Sequence, residues 1–406
     1  MSNSDSWTKY LFLDKILLNH HVSLQKGVKY PFVDMPSVGI SSRAPERVGY
    51  KKYTGSGVKF CRNDTIIARI EPCLQNGKRF YFCEGDVGFG STEFIVFTPK
   101  DKSVDPMFLF YFLKQEKINN RLESALAGTS GRRRVDTSFL NSYKVELPKT
   151  DTQRRIASIL ASIDDKIELN RKLNHNLEAM AQALYDYWFV QFDFPDENGR
   201  PYKSSGGKMV WNEQLKREIP EGWAIRKLGE LVEPIITGKL DANYENENGK
   251  YPFFTCSAAP MRIDSYSFDA DAIILAGNGS FYIFDYHGKF DAYQRNYVII
   301  PKPRISKQYL YMAIEENIRL LKNKAQGSII KFLTKGMIED IPVFNIDWGH
   351  FLCLHNALKK LFERRFLAQQ EKHQLTVMRD FLLPLLMNGQ VQVRPQGELN
   401  YDLASD

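Results

Sequence analysis

The sequence predicts an α+β chain: two mixed α/β globules separated by two long antiparallel coiled-coil helices, arranged as a pseudo-twofold internal repeat. Three observations predict it. The stretch from Asp151 to Trp188 spaces its seam positions by fours and threes and meets no proline or glycine until Pro195 and Gly199. The first half of the chain returns, in order, in the second. A second seam stands where that repeat requires one.

The elements follow in order. Residues 1–150 form the first globule, in which short β-branched and aromatic runs such as Thr65 to Ile70 and Glu93 to Phe97 are broken by Gly, Asn and Asp. A helical stretch intervenes near Pro106 to Ser124. Residues 151–190 form the first helical spacer, with Pro148 as a stop before it and Thr150, Asp151 or Thr152 as its cap. Its seam runs Ile156, Leu160, Ile163, Ile167, Asn170, Asn174, Leu177, Ala181, Leu184, Trp188. At about 1.5 Å per residue the helix is on the order of 55 Å long. Asn170 and Asn174 are amides in an apolar seam, which penalise every register that leaves them without a partner. Residues 191–219, rich in turn-forming and polar residues, read as a linker.

The repeat places the second globule at residues 220–346. Lys29-Tyr30-Pro31-Phe32-Val33 returns as Lys250-Tyr251-Pro252-Phe253-Phe254, and Phe97-Thr98-Pro99-Lys100 as Ile299-Ile300-Pro301-Lys302. The run Asn63 to Ala68 matches Ala270 to Leu275 in character, and Phe108 to Tyr111 matches Tyr309 to Met312. Residues 347–389 then form the second helical spacer, with Leu354, Leu361, Ala368, Leu375 and Leu382 at a period of seven. Arg365, Lys372 and Arg379 occupy its companion positions, as stems that snorkel or cations that pair with a partner's carboxylates. Pro384 is expected to bend or end this helix. Residues 390–406 read as a loose polar tail. Twofold symmetry makes the helices antiparallel and sets the globules at opposite ends of the rod.

With 43% apolar content in 406 residues, the composition excludes a disordered chain. No apolar run approaches the roughly 20 residues of a membrane span, and Met1 to Tyr10 is too polar for a signal peptide, so a cytoplasmic protein is expected. Five widely spaced cysteines without a CxxC pair indicate neither a disulfide framework nor a zinc site. A formal net charge of +7 points to a polyanion only where the basic residues cluster.

They cluster first in the loop 128–134, where Gly128, Thr129, Ser130 and Gly131 lead into Arg132, Arg133 and Arg134. Arginine forks match phosphate oxygens and the O6/N7 edge of guanine. Lys51, Lys52, Arg69, Lys78 and Arg79 add charge among Tyr53, Phe80 and Tyr81, and Thr92 with Glu93 are useful groups for reading base edges. The matching places of the second globule hold Asn278, Ser280 and Tyr282, then Lys289, then Gln294, Arg295 and Asn296, then Lys324, Gln326 and Ser328. Asn and Gln can bond adenine bidentately, so this set would read a different sequence. Catalytic signatures are missing: there is no Walker A loop, HExxH, GxSxG or histidine cluster. Asp164-Asp165-Lys166 imitates a nuclease carboxylate and lysine pair, but its position on the long helix reads as a solvated face.

The residues Phe89 to Phe94, Gly128 to Val135, Gln153 to Ala157 with Leu160, Ile163 to Ile167, and Ile219 to Trp223 together resemble the specificity (HsdS) subunit of Type I restriction-modification systems. The resemblance spans nearly the whole chain. It implies two target recognition domains, each reading one half of a split, asymmetric sequence of double-stranded DNA. It implies methyltransferase (HsdM) subunits, two of them, docked on the helices and bringing S-adenosylmethionine. Restriction (HsdR) subunits would bring ATP and magnesium for translocation and cleavage, and this chain would hold no cofactor and catalyse nothing. The alternative reading is a non-catalytic coiled-coil adaptor whose globules bind protein. A fused nuclease or methylase is a third, set back by the missing motifs.

Overall fold

A computed structural model describes residues 7–40, 42–129, 131–246, 248–324, 332–346 and 351–393, with the side chains of 321–324 left aside. The chain forms two compact units, Met1–Lys172 with Ala368–Asp406, and Leu173–Leu367. Gln326 and Ser328, and Ser130, lie outside the described residues.

In the first unit the strand Thr65–Ala68 is buried along its length, as its β-branched run requires, and lies between Phe94–Pro99 and Arg79–Tyr81. Ile16–Leu18 completes that four-stranded sheet. A second sheet is ordered Gly49–Lys52, Lys29–Val33, Val87–Gly90, Val58–Cys61, with Lys29–Val33 and Val87–Gly90 parallel. The division into two sheets occurs at Asn63, which takes φ +73°. The buried Asp64 carboxylate holds this turn, accepting from the Cys61 amide at 2.6 Å and the Thr98 hydroxyl at 2.6 Å, with His20 Nε2 at 2.9 Å. The carboxylate is thereby occupied. The Pro106–Lys114 helix is apolar on every side and is the core helix of the unit; Asp105 caps it, accepting from the Met107 and Phe108 amides.

The second unit repeats this order with one change. Its strands Phe268–Ala276 and Ile283–Ala292 run unbroken where the first unit turns at Asn63, so one six-stranded sheet replaces two four-stranded ones. Tyr251–Phe254 again pairs in parallel with its neighbour, as Lys29–Val33 does. Each globule is closed by its first and last strands: Thr8–Leu11 pairs antiparallel with Lys144–Leu147, and Ala224–Lys227 with Pro342–Asn345.

A long helix follows each closing strand, Thr150–Tyr185 after the first and Leu352–Met387 after the second. The first seam is buried at Ile156, Leu160, Ile163, Ile167, Asn170, Asn174, Leu177, Ala181 and Trp188, with Leu184 half-buried. Within the first unit, Arg379 Nη1 donates to Asp164 Oδ1 at 2.8 Å and Asn170 Nδ2 to Glu371 Oε2 at 3.0 Å. One number falls as the other rises, so the pairing is antiparallel. Within the second unit Arg365 reaches Glu178 at 3.6 Å, and Ala181, Tyr185 and Trp188 share a core with Leu354, Leu358 and Phe362.

Three expectations are corrected and two alternatives are narrowed. The second seam is looser than a strict period of seven: Leu354 and Ala368 are buried, Leu361, Leu375 and Leu382 are half-buried, and Leu358, Phe362, Leu383 and Leu386 are buried beside them. Leu358 and Leu386 lie on the companion line of Arg365 and Arg379, and Phe362 and Leu383 one residue past Leu361 and Leu382, a shift that the drift of about 20° per heptad on a straight α-helix allows. Arg365 and Arg379 pair with Glu178 and Asp164 of the first long helix. Pro384 does not end the helix, which runs on to Met387. Asp164 is not solvated: its carboxylate is sealed between Arg379 and the Tyr111 hydroxyl, which donates at 2.7 Å. Residues 191–219 are not a loose linker. Phe194 stacks on Trp188, Tyr202 and Trp223, with ring centroids 5.7, 4.8 and 5.0 Å apart, and Met209–Asn212 and Arg217–Pro220 form a hairpin. Aromatic residues outweigh turn-forming ones here because each ring buries a large apolar surface.

Candidate nucleic-acid interface

Three segments of the first globule meet through main-chain bonds. The Arg69 amide donates to the Glu93 carbonyl at 2.8 Å, the Val135 amide to the Arg69 carbonyl at 3.0 Å, and Ile70 bridges Arg134. The strand ends are thus tied to the arginine loop. Side chains reinforce the tie. Glu71 pairs with the Arg133 guanidinium and accepts from the Gly131 amide at 3.1 Å, and Arg133 holds its carboxyl below the usual carboxylate range. Glu93 takes a two-pronged bond from Arg134, Nε at 2.9 Å and Nη2 at 2.8 Å, which lowers its pKa likewise. The Arg132 side chain is exposed and has no hydrogen-bond partner among the described residues. Thr92 and Thr129 are exposed as well, the Thr129 carbonyl accepting from the Arg132 amide at 3.1 Å.

The second globule builds the same frame. The Gly277 amide donates to the Arg295 carbonyl at 2.8 Å, the Leu333 amide to the Gly277 carbonyl at 2.7 Å, and Asn278 bridges Phe332. Bond for bond, Gly277 stands for Arg69, Asn278 for Ile70, Arg295 for Glu93, Phe332 for Arg134 and Leu333 for Val135. A side chain at Gly277 would meet the Arg295 carbonyl oxygen at 2.4 Å, so the close approach requires glycine. Ser280, Tyr282, Gln294, Arg295 and Phe332 are exposed on this frame; Gln294 Nε2 donates to Asp241 at 3.3 Å. The scaffold is shared and the side chains are not.

Other sequence candidates fall at various depths. Lys51 and Lys52 lie on the exposed edge strand Gly49–Lys52, Lys51 Nζ 3.8 Å from the Phe32 ring centroid. Lys289 is exposed, 4.7 Å from the Tyr266 ring centroid. Lys78 donates to the Met35 carbonyl at 3.0 Å, and Arg69 is half-buried. Lys324 closes the Lys307–Lys324 helix. Two candidates are corrected. Arg79 is buried, its guanidinium bonded to the Leu113 carbonyl and Asn119, and burial depresses its pKa to about 10. Asn296 is fully buried, donating to the Phe254 and Thr255 carbonyls at 2.9 Å each. A duplex at the surface reaches neither.

Glu71 and Phe332 belong to the frame and were not legible as single residues. Aligning the two halves finds Phe332, because it follows the second arm of the repeat as Arg134 follows the first. Glu71 carries no signal beyond being an acid two residues after Arg69.

A family model described as the Type I restriction modification DNA specificity domain matches residues 20–179 and 220–344. The chain is 47% identical over 126 residues to the EcoDI Type I restriction enzyme specificity subunit of Escherichia coli, a match spanning 31% of this chain and 28% of that protein's length. It is 24% identical over 406 residues to the HindI specificity subunit of Haemophilus influenzae, covering 81% of this chain and 87% of that one. Among solved structures it resembles the Type-I restriction-modification system S subunit from M. genitalium, with a TM-score of 0.61 at 19% identity over 95% of this chain and 97% of that one. That likeness speaks to the fold.

Proposed function

We propose, from the premise that this chain belongs to the Type I restriction modification DNA specificity family, that each globule reads one half of a bipartite, asymmetric duplex target through its loop frame. The chain is a specificity subunit of a non-catalytic class. Residues 1–150 and 220–346 act as its two target recognition domains, and the long helices dock methyltransferase subunits, two per specificity subunit. S-adenosylmethionine then belongs to those partners, and ATP and magnesium to restriction subunits where these join. Among the described residues no helix is long and apolar enough to cross a membrane.

The observation that carries this reading is the pair of matching main-chain frames with unlike side chains. A reader of two unrelated half-sites needs a constant scaffold and variable tips, because phosphate contacts position a protein while base-edge contacts specify the sequence. In the first globule Arg132, Arg133 and Arg134 supply the guanidinium groups, and the exposed Glu93 pair contributes no more than about 1 kcal/mol, so a phosphate or guanine can compete for Arg134. The apolar side chains exposed on the second long helix, Val377, Met378 and Phe381, support a partner surface distinct from the buried seam.

The test is equilibrium binding of the full-length chain to duplexes carrying the motif methylated in cells that express it. Binding is expected to fall steeply with salt, by a log–log slope of about −0.9 per phosphate neutralised, and to weaken when either half-site is scrambled. A shallow slope with no preference for the motif overturns the reading and favours the protein-binding adaptor.

A further inference from the structure

We infer that Phe332 is an apolar base-reading contact of the second globule, seated on the 5-methyl group of a thymine in the half-site that this globule reads. The inference rests on the duplex-reading proposal and deepens it. An isolated exposed phenylalanine needs no explanation of its own. The position of this one does. Phe332 is 62% exposed, and its backbone is bridged to Asn278 at the place where the first globule bridges Arg134 to Ile70. The next amide, Leu333, is bonded to Gly277 as Val135 is bonded to Arg69, and the Tyr297 hydroxyl donates to the Leu333 carbonyl at 2.9 Å. Phe332 therefore stands on a fixed main-chain rim, not on a swinging tip.

What a side chain on that rim can do follows from its chemistry. Arg134 is a charged fork and suits guanine or phosphate. A phenyl ring donates and accepts no hydrogen bond, and the only apolar feature that a base pair presents in the major groove is the thymine methyl. Gln294 and Arg295, exposed on the adjoining turn, supply the polar contacts that a lone ring cannot. The two globules thus differ in kind at the same frame position.

The test uses the full-length chain and its mapped target, with each thymine of the second half-site replaced in turn by uracil, which removes only the methyl group. Wild-type binding is expected to weaken about four-fold at one such position, the worth of one buried methyl group at about 0.8 kcal/mol. Phe332→Ala is expected to lose that sensitivity while keeping its response to changes in the first half-site, and Phe332→Leu to retain part of it. Wild-type protein indifferent to every uracil, a Phe332→Ala variant that keeps the sensitivity, or a second half-site without an A·T pair overturns the inference and leaves duplex reading standing. Absence of any sequence preference overturns both.

Discussion

Replacing Asp164 by alanine breaks a buried ion pair of the first unit. Its carboxylate and the Arg379 guanidinium are each only 2% exposed, 2.8 Å apart, and the Tyr111 hydroxyl donates to the same carboxylate. Burial and this carboxylate together push the Tyr111 phenol well above its usual range. Removing the carboxylate leaves a buried cation whose remaining carboxylate, Asp380, is half exposed, and strands a buried phenol donor. Breaking a buried pair from one side costs about 3–5 kcal/mol, a large part of the roughly 5–15 kcal/mol that holds a domain together. For a unit of this size each kcal/mol moves the melting temperature by about 2–4 °C, so Asp164→Ala should lower it by about 6–20 °C in differential scanning calorimetry. The triple variant Asp164→Leu, Arg379→Met, Tyr111→Phe removes all three polar partners together and should melt near the wild-type temperature, because apolar replacement of a whole buried pair is often neutral. A loss below about 2 °C for Asp164→Ala, or a triple variant as unstable as the single one, refutes the reasoning.

Three further outcomes are expected. Arg132→Ala should weaken duplex binding across sequences and reduce the salt slope by about one, measured by fluorescence anisotropy at graded salt; an unchanged slope removes Arg132 from the phosphate contacts. Asn296→Ala should destabilise the second unit, since it removes a donor from the Phe254 and Thr255 carbonyls, the former keeping the Tyr293 amide, and should be detected by denaturant unfolding and not by altered preference in the half-site. Lys114 is half-buried near Arg379 and Arg79, and desolvation depresses its pKa from 10.5 to about 8. The unfolded chain then binds the proton more tightly than the folded one, so this lysine lowers stability below pH 8 and its penalty fades as pH rises from 8 toward 10.5. Lys114→Met should stabilise the protein at pH 7 and flatten that rise in a pH series of melting curves; a Met variant with the wild-type slope contradicts the depressed value.

Much of the fold could be read from the chain because periodicity and repetition are local properties. Ile156 to Trp188 declared a buried stripe by spacing alone, and the returning Tyr-Pro-Phe segment fell on equivalent strands of both globules, Lys29–Val33 and Tyr251–Phe254. What stayed hidden depends on partners far away in sequence. Arg79 and Asn296 look like surface donors until the carbonyls that occupy them, on Leu113, Phe254 and Thr255, are brought alongside. Asp164 looked solvated because Arg379 approaches it from the far end of the chain. The stretch 191–219 misled because its glycines and prolines mask three aromatic anchors, Phe192, Phe194 and Tyr202. In the arginine loop, residue type revealed the cations, and Glu93 as a candidate reader, but not that Glu71 and Glu93 aim two of those cations.

The closing strands carry one more implication. Because Thr8–Leu11 zips onto Lys144–Leu147, and Ala224–Lys227 onto Pro342–Asn345, each globule begins and finishes at a single doorway. A foreign cassette whose termini zip together in the same way could be grafted there by matching two short ladders, leaving the helical stalk untouched. Altering the vocabulary of such a protein then becomes a matter of exchange at one threshold, without redesign of the frame that carries it.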